Sequence, residues 1–117
     1  MLDPMDGLIR PHRPLPDDPL LPRIAADLRA HFGDRLARLV LYGSRARGDH
    51  TPDSDYDVAA FLKGEVDWSA EWDRLIPLQW MWFGDTGLSV EVQVFSEGEE
   101  NRQTLFMMFL RQDGIDL

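Results

Sequence analysis

The sequence predicts a small α/β domain (α+β in stricter usage), with a mixed sheet and helices packed on one side. Three apolar segments have the length of strands, at residues 36–42, 55–62 and 88–95. Three segments with helical spacing accompany them, at residues 20–32, 67–83 and 97–113. The chain has 117 residues, of which 44% are hydrophobic, and this suits one compact core rather than two.

The first helix and the first strand are predicted from spacing and from a stop signal. Ile24, Leu28 and Phe32 recur every four residues, and Gly33 follows as a helix end. Residues 36–42 are apolar and lead into Gly43, as expected of a buried strand that ends in a sharp turn.

The second and third strands are predicted by turn residues and by alternation. Residues 55–62 lie between the turn residues at 52–53 and Gly64. In residues 88–95, Val90, Val92 and Val94 alternate with more polar residues, which predicts one buried face. The helix between these strands contains Pro77, where we expect a kink or a break.

The amino-terminal segment differs in composition from the rest of the chain. Six of the eight prolines lie in residues 1–22, which predicts an extended arm or loop, either loose or packed along the domain or a partner. We therefore divide the chain into a proline-rich arm, residues 1–22, and a domain, residues 23–117.

Composition limits the classes of partner. The net charge of −9 disfavours binding to a long nucleic acid, although a bound divalent metal can still attract a nucleotide. The absence of cysteine excludes a thiolate nucleophile and a cysteine-based zinc site. We find neither a secretory signal nor an apolar run of about 20 residues, so we expect a cytoplasmic protein without a membrane partner.

The chemistry is concentrated in residues 41–62, LYGSRARGDHTPDSDYDVAAFL. Gly43 permits a close approach by a ligand, and Ser44 is a good cap for a short helix whose free N–H groups favour phosphate. Arg45 and Arg47 place donors and positive charge nearby, although both could be surface residues paired with aspartates. This turn therefore predicts a phosphate-binding site.

Two carboxylates follow on the next predicted strand. Asp55 and Asp57 are two residues apart, so both point to one face of the sheet. The opposite face is predicted to enter the core through Tyr56, Val58, Ala60 and Leu62. Carboxylates that are close together repel each other unless a cation lies between them, and Mg²⁺ often binds one or two carboxylates together with substrate phosphates. A phosphate-binding turn beside a carboxylate pair is the arrangement that two-metal phosphoryl or nucleotidyl transfer requires.

Gly43-Ser44, ten intervening residues and Asp55-Tyr56-Asp57 together resemble the polymerase-β-type nucleotidyltransferase superfamily. More narrowly, GSRARG and SDYD resemble the minimal nucleotidyltransferases, which are often paired with helical HEPN proteins. The specific motif covers residues 43–57, and a looser resemblance in element order extends to the carboxyl terminus. The resemblance implies a polymerase-β-like nucleotidyltransferase fold and transfer of a nucleotide to a hydroxyl.

The resemblance also assigns roles to the matched positions. Gly43 and Ser44 would bind the triphosphate, with Arg47 as a further nucleotide contact, and Asp55 and Asp57 would hold two Mg²⁺ ions, for which Mn²⁺ can substitute. A third carboxylate is expected on the strand after the long helix. Glu91 is the candidate for this metal ligand and general base, because Val90, Val92 and Val94 take the opposite face. The family more often has Asp there, so the site could also be incomplete.

The nucleotide and its acceptor stay open at the level of sequence. ATP is the first choice of triphosphate, and a HEPN-type partner protein is the first choice of acceptor, in an antitoxin-like role. The alternatives are a small aminoglycoside-like acceptor bound by a homo-oligomer, or a nucleotide-binding module without turnover. One helical segment holds four tryptophans, Trp68, Trp72, Trp80 and Trp82. This predicts core packing for some of them and, for others, a partner or self-association surface or the wall of an adenine pocket.

Two other functional interpretations fail. An EF-hand loop starting at Asp53 would need glycine at position 58 and glutamate at position 64, where the chain has Val58 and Gly64. A hydrolase nucleophile elbow at Ser44 would need glycine two residues later, where the chain has Ala46.

Overall fold

The computed structural model describes residues 16–117, and the predictions made for residues 1–15 of the arm lie outside them. The α-helices and strands in this range are α1 Leu20–Phe32, β1 Leu36–Tyr42, α2 Ser44–Arg47, β2 Tyr56–Leu62, α3 Trp68–Thr86, β3 Val90–Ser96, α4 Leu105–Asp113 and β4 Ile115–Asp116. Short 3₁₀ turns lie at Gly33–Arg35 and Glu99–Asn101.

The strands form one mixed sheet in the order β3-β2-β1-β4. β1 is antiparallel to both β2 and β4, whereas β2 and β3 are parallel. A parallel pair needs a long crossover connection, and α3 supplies it. The mixed sheet and the α/β class predicted from the sequence are confirmed.

One face of the sheet packs against α1 and α3. The predicted core residues of β2 and β3 are all buried there, together with residues of both helices. Trp82 of α3 is fully buried and its indole N–H donates to Asp27 of α1 at 2.8 Å, so the two helices are joined by a hydrogen bond as well as by packing.

The other face is partly covered by α4. Met107 and Leu110 of this helix pack with Val40, Ala59 and Phe61 in a second, smaller apolar cluster. The prediction that helices pack on one side of the sheet therefore holds for α1 and α3, whereas α4 packs on the opposite side. Helical periodicity identifies the buried side of α4 but carries no information about which face of the sheet it meets.

Three details differ from the sequence prediction. Of the kink or break expected at Pro77, the break does not occur: helix α3 continues through Pro77, because Pro77 and Asp73 are exposed and water can satisfy the carbonyl that proline leaves unpaired. The helix expected over residues 97–113 is confined to α4. The two-residue strand β4 was not predicted, since so short a strand has no periodic signal.

The end of the proline-rich segment contacts the domain. Leu20 and Leu21 are buried in the first turn of α1, and Pro22 is tolerated there because the first-turn N–H groups have no helical partner. Asp18 accepts hydrogen bonds from the Tyr56 hydroxyl at 2.7 Å and from Arg45 at 3.3 Å. None of the helices in residues 16–117 combines the length and apolarity that a membrane crossing requires.

Candidate active site

The turn after β1 brings the two halves of the sequence motif together. Gly43 has φ 75° and is the N-cap of α2, so Ser44 is the first residue of this helix rather than its cap. A methyl group on Gly43 would collide with Asp57 Oδ2 and lie 3.2 Å from Asp57 Cγ. The backbone at Gly43 and the carboxylate of Asp57 are therefore in direct contact, and only glycine permits this approach.

The strand register aligns Glu91 with Asp57. The two residues are Cα partners in the parallel β2–β3 pair, and Tyr42 is the partner of Asp57 on β1. Asp57 is half-buried, whereas Asp55 and Glu91 are exposed, and Asp55 lies one residue before β2 rather than on it. The side-chain parity predicted for Glu91 and Asp57 is thus realised across neighbouring strands.

The carboxylates influence each other electrostatically. The pKa of Asp57 is raised by burial, then by the negative charges of Glu91 and Asp55, and Arg47 opposes this shift. Such mutual repulsion is expected where carboxylates share a site without a cation.

The two arginines of the turn have different surroundings. Arg45 is 5% exposed and donates to the carbonyls of Ser54 at 2.9 Å and Pro52 at 3.2 Å, and its guanidinium lies 3.9 Å from the ring centroid of Tyr56. It therefore holds the loop that leads to Asp55, and it is not a surface residue. Arg47 is exposed and pairs with Asp49 and Asp113, at 3.1 and 3.2 Å.

Tyr42 is a site residue that the sequence reasoning did not single out. The pKa of its hydroxyl is strongly raised by burial and by the charges of Asp57 and Glu91, which places an un-ionised phenol beside both carboxylates. Its ring meets Phe106 of α4 edge to face, with centroids 5.4 Å apart. The alternation of side chains along β1 could have shown that Tyr42 shares a face with Val40. Alternation within one strand does not identify the neighbour of Tyr42 on another strand.

Comparisons with known proteins agree with this geometry. Residues 21–106 match the model of the nucleotidyltransferase domain family. The chain belongs to this family. A solved structure of a "putative nucleotidyltransferase" from Sulfolobus solfataricus aligns with a TM-score of 0.52 and 26% identity, over 83% of this chain and 76% of that one. No curated protein matches the sequence.

The carboxylates of this nucleotidyltransferase have the donor chemistry for a hard divalent cation. Within residues 16–117, no three acidic or histidine side chains already converge as a complete metal site. Mg²⁺ does not require such a group, because it usually binds one or two carboxylates and completes its shell with water and substrate phosphates. A site of this kind, in which the protein supplies only some of the metal ligands, fits the carboxylates of Asp55, Asp57 and the aligned Glu91.

Two cavities border the site of the nucleotidyltransferase on different sides. One, of about 390 Å³, includes Gly43 and Arg47 in its lining, with Tyr42, Phe106 and Phe109 as aromatic walls. The other, of about 420 Å³, is lined by Trp72, Gln79, Trp80, Phe83, Ser89, Val90 and Glu91. The first adjoins the turn that is expected to bind the triphosphate, and the second adjoins the third carboxylate.

Proposed function

We propose that the protein is a Mg²⁺-dependent enzyme that transfers a nucleoside monophosphate, first of all AMP, from a nucleoside triphosphate to an acceptor hydroxyl. The observation that carries the proposal is the contact between Gly43 and Asp57. It brings the backbone of the phosphate-binding turn against the carboxylate expected to hold the metal. A triphosphate bound at Gly43 and Ser44 would lie beside Asp57, as the reaction requires.

In the proposed reaction, the acceptor oxygen forms a bond to the α-phosphorus of the triphosphate. The bond from that phosphorus to the α–β bridging oxygen breaks, and pyrophosphate leaves. The proton of the acceptor hydroxyl passes to Glu91 and from there to solvent. Two Mg²⁺ ions, or two Mn²⁺ ions in their place, would be held by Asp55, Asp57 and Glu91. They would offset the negative charge that develops on the phosphate.

Arg47 and Tyr42 would act on the nucleotide side of this site. Both line the cavity beside Gly43, where the guanidinium of Arg47 offers donors to a phosphate and the neutral hydroxyl of Tyr42 offers one more. Phe106 and Phe109 line the same cavity and supply aromatic surface for a nucleobase.

For the acceptor we propose first a partner protein of HEPN type, modified as the target of an antitoxin-like enzyme. The supporting observation is the apolar surface on α3 and α4, which includes Trp68, Trp80, Phe83, Leu105 and Phe109 as exposed side chains. Apolar surface on this scale is typical of interfaces, with a partner or with a second copy of the chain. Since the reaction consumes a nucleoside triphosphate, we place the protein in the cytoplasm.

The alternative acceptor is a small hydroxyl compound, favoured by the cavity beside Glu91. A nucleotide-binding module without turnover is the remaining alternative, because Glu91 replaces the more usual aspartate and Gln93 follows on the same face. Loss of turnover in Glu91→Gln with retained ATP binding would refute that alternative.

The test is calorimetry of ATP binding with and without Mg²⁺, on the wild type and on Asp55→Asn/Asp57→Asn. We expect binding that depends on Mg²⁺ and is lost in the double variant. Asp53→Asn/Asp73→Asn, two exposed aspartates outside the strand, is the matched control and should bind as the wild type does. The proposal fails if none of the four common triphosphates binds, or if binding survives in the double variant.

A further inference from the structure

The carboxylate of Asp18, just before α1, joins three segments of the chain. One of its oxygens accepts a hydrogen bond from the backbone N–H of Leu20 at 2.9 Å. The other accepts from the Tyr56 hydroxyl at 2.7 Å and from Arg45 at 3.3 Å. The side chain of Asp18 is only 14% exposed, and hydrogen bonds are stronger where water is largely excluded. The carboxylate therefore links the start of α1 to α2 and to the first residue of β2.

Two partners of Asp18 hold the residues on either side of Asp55. Arg45 donates to the carbonyl of Ser54, directly before Asp55, at 2.9 Å. Tyr56, directly after Asp55, is buried, and the guanidinium of Arg45 lies 3.9 Å from the centroid of its ring. The chain is thus held on both sides of Asp55, and both of the side chains that hold it bind the carboxylate of Asp18.

Asp57 is held in a different way. It lies within β2, has a paired strand on each side and contacts the backbone at Gly43. Asp55 lies one residue before β2 and is exposed. The hydrogen-bond ladder of the sheet therefore fixes Asp57, whereas the place of Asp55 depends on the contacts of the residues beside it.

We propose that Asp18 is a positioning residue of the active site: through its two side-chain partners it holds the carboxylate of Asp55 where a metal ion can bind. The inference rests on the proposed function, in which Asp55 and Asp57 bind Mg²⁺, and it adds a residue of the amino-terminal segment to the site. Loss of a group that orients a metal ligand typically weakens metal binding by about 10- to 100-fold. Asp18 acts in this way, without contact to the metal.

A purely structural role for Asp18 leads to a different expectation. Its hydrogen bond with Leu20 satisfies an N–H group in the first turn of α1, so loss of the carboxylate destabilises the helix in either case. A residue that only stabilised α1 would lower the free energy of unfolding and leave metal binding by the folded protein unchanged. Metal affinity, and not stability, therefore distinguishes the two roles.

The first experiment measures ATP binding by calorimetry of the full chain over a series of Mg²⁺ concentrations. Asp18→Asn has one acceptor oxygen in place of two, so it cannot serve Leu20 and the Tyr56 hydroxyl together. We expect the Mg²⁺ concentration for half-maximal ATP binding to rise by about 10-fold, and binding to return towards the wild-type level at saturating Mg²⁺. Tyr56→Phe, which removes only the hydroxyl, should shift the same midpoint in the same direction.

Asp27→Asn is the matched control. The carboxylate of Asp27 accepts from the indole N–H of the buried Trp82 at 2.8 Å, so it joins α1 to α3 rather than to the strand that carries Asp57. This variant should lose stability in urea denaturation and keep the wild-type Mg²⁺ midpoint. An unchanged midpoint in Asp18→Asn, or ATP binding weakened equally at every Mg²⁺ concentration, overturns the inference.

Amide hydrogen exchange without Mg²⁺ or ATP tests the positioning directly. The backbone N–H of Tyr56 donates to the carbonyl of Ser89 at 2.9 Å, so its exchange reports on the chain beside Asp55. Asp18→Asn should accelerate this exchange by about 2- to 10-fold more than that of the amides in the middle of β2, as expected for the loss of one hydrogen bond.

Equal acceleration of the Tyr56 amide and the amides in the middle of β2 would also overturn the inference. This arm needs no ligand, so its failure is distinct from an absence of ATP binding in the wild type. That absence would instead contradict the proposed function and the metal-binding role of Asp55.

Discussion

The two faces of the sheet are built from the same strands but differ in what covers them. Towards α1 and α3, Val58, Ala60 and Val92 are fully buried in a closed apolar core. On the opposite face, α4 covers only part of the strands, and Asp57, Glu91 and Gln93 stay partly or largely exposed. Side chains alternate between the two faces along each strand, so the residues that stabilise the core and the residues of the candidate site lie on opposite faces of the sheet. Mutations on the two faces should have separable effects, and the following predictions test this.

The largest loss of stability is expected on the closed face. Leu75→Ala removes a fully buried side chain of α3 and should lower the free energy of unfolding by about 3 kcal/mol. Ile76→Ala changes the next residue, which is 37% exposed, and should cost less than about 1 kcal/mol. Urea denaturation measures both. Equal losses would mean that the outer surface of α3 is buried in the protein in solution, for example by self-association.

The second prediction separates two arginines of one turn. Arg45→Met leaves the carbonyls of Pro52 and Ser54 without their donor and removes the ion pair with Asp18, and should cost about 2 to 3 kcal/mol. Arg47→Met removes only exposed ion pairs and should leave the free energy of unfolding nearly unchanged.

The functional readout of the same pair should differ as well. Arg47→Met should weaken ATP binding in calorimetry while it leaves the urea midpoint unchanged, because Arg47 lines the cavity beside Gly43. If Arg47→Met binds ATP as the wild type does, Arg47 is only a partner of Asp49 and Asp113, and its assignment as a nucleotide contact is wrong.

The third prediction concerns the contact between the turn and the carboxylate. Gly43→Ala strains a backbone with φ 75° and forces a methyl group against Asp57, so it should cost about 2 kcal/mol and abolish Mg²⁺-dependent ATP binding. Gly48→Ala has a similar positive φ but open space around it, and should cost about 1 kcal/mol with ATP binding retained. Retained binding in Gly43→Ala would show that the turn and Asp57 need not touch.

The smallest expected effect is a pH dependence of the free energy of unfolding that arises from Glu71 of α3. A hydrogen bond from Arg35, together with the charges of Arg35 and Arg74, lowers the pKa of Glu71 below its ordinary value of 4.5. A lowered carboxylate pKa stabilises the fold above pH 4.5, and this contribution is lost as the pH falls through the folded-state pKa. Glu71→Gln should therefore cost about 1 kcal/mol at pH 7, and its difference from the wild type should shrink below pH 4.5.

The control for this pH dependence is Glu65→Gln, which changes an exposed residue in the loop after β2. It should match the wild type in urea denaturation at both pH values. A constant difference between Glu71→Gln and the wild type from pH 7 to pH 3 would show that the carboxylate charge of Glu71 does not stabilise the fold.

Local patterns predicted much of the fold. The bounds of α1 and β1, the core faces of β2 and β3 and the opposite facing of Glu91 followed from spacing within single segments. The parts that were wrong or missing depend on surroundings. Whether Pro77 breaks a helix depends on the exposure of the carbonyl it leaves unpaired, and the two-residue β4 exists because β1 offers it a partner.

The site divides in the same way. The sequence by itself determined the spacing between the Gly43-Ser44 turn and Asp57 and the membership of the nucleotidyltransferase domain family, because these depend on residue type and short spacing. Only the tertiary structure decided that Glu91 aligns with Asp57, that Arg45 is buried while Arg47 is exposed, and that Trp82 alone among the four tryptophans is fully buried. Periodicity fixes the direction of a side chain relative to its own segment, whereas strand register and helix docking decide which distant residue it meets.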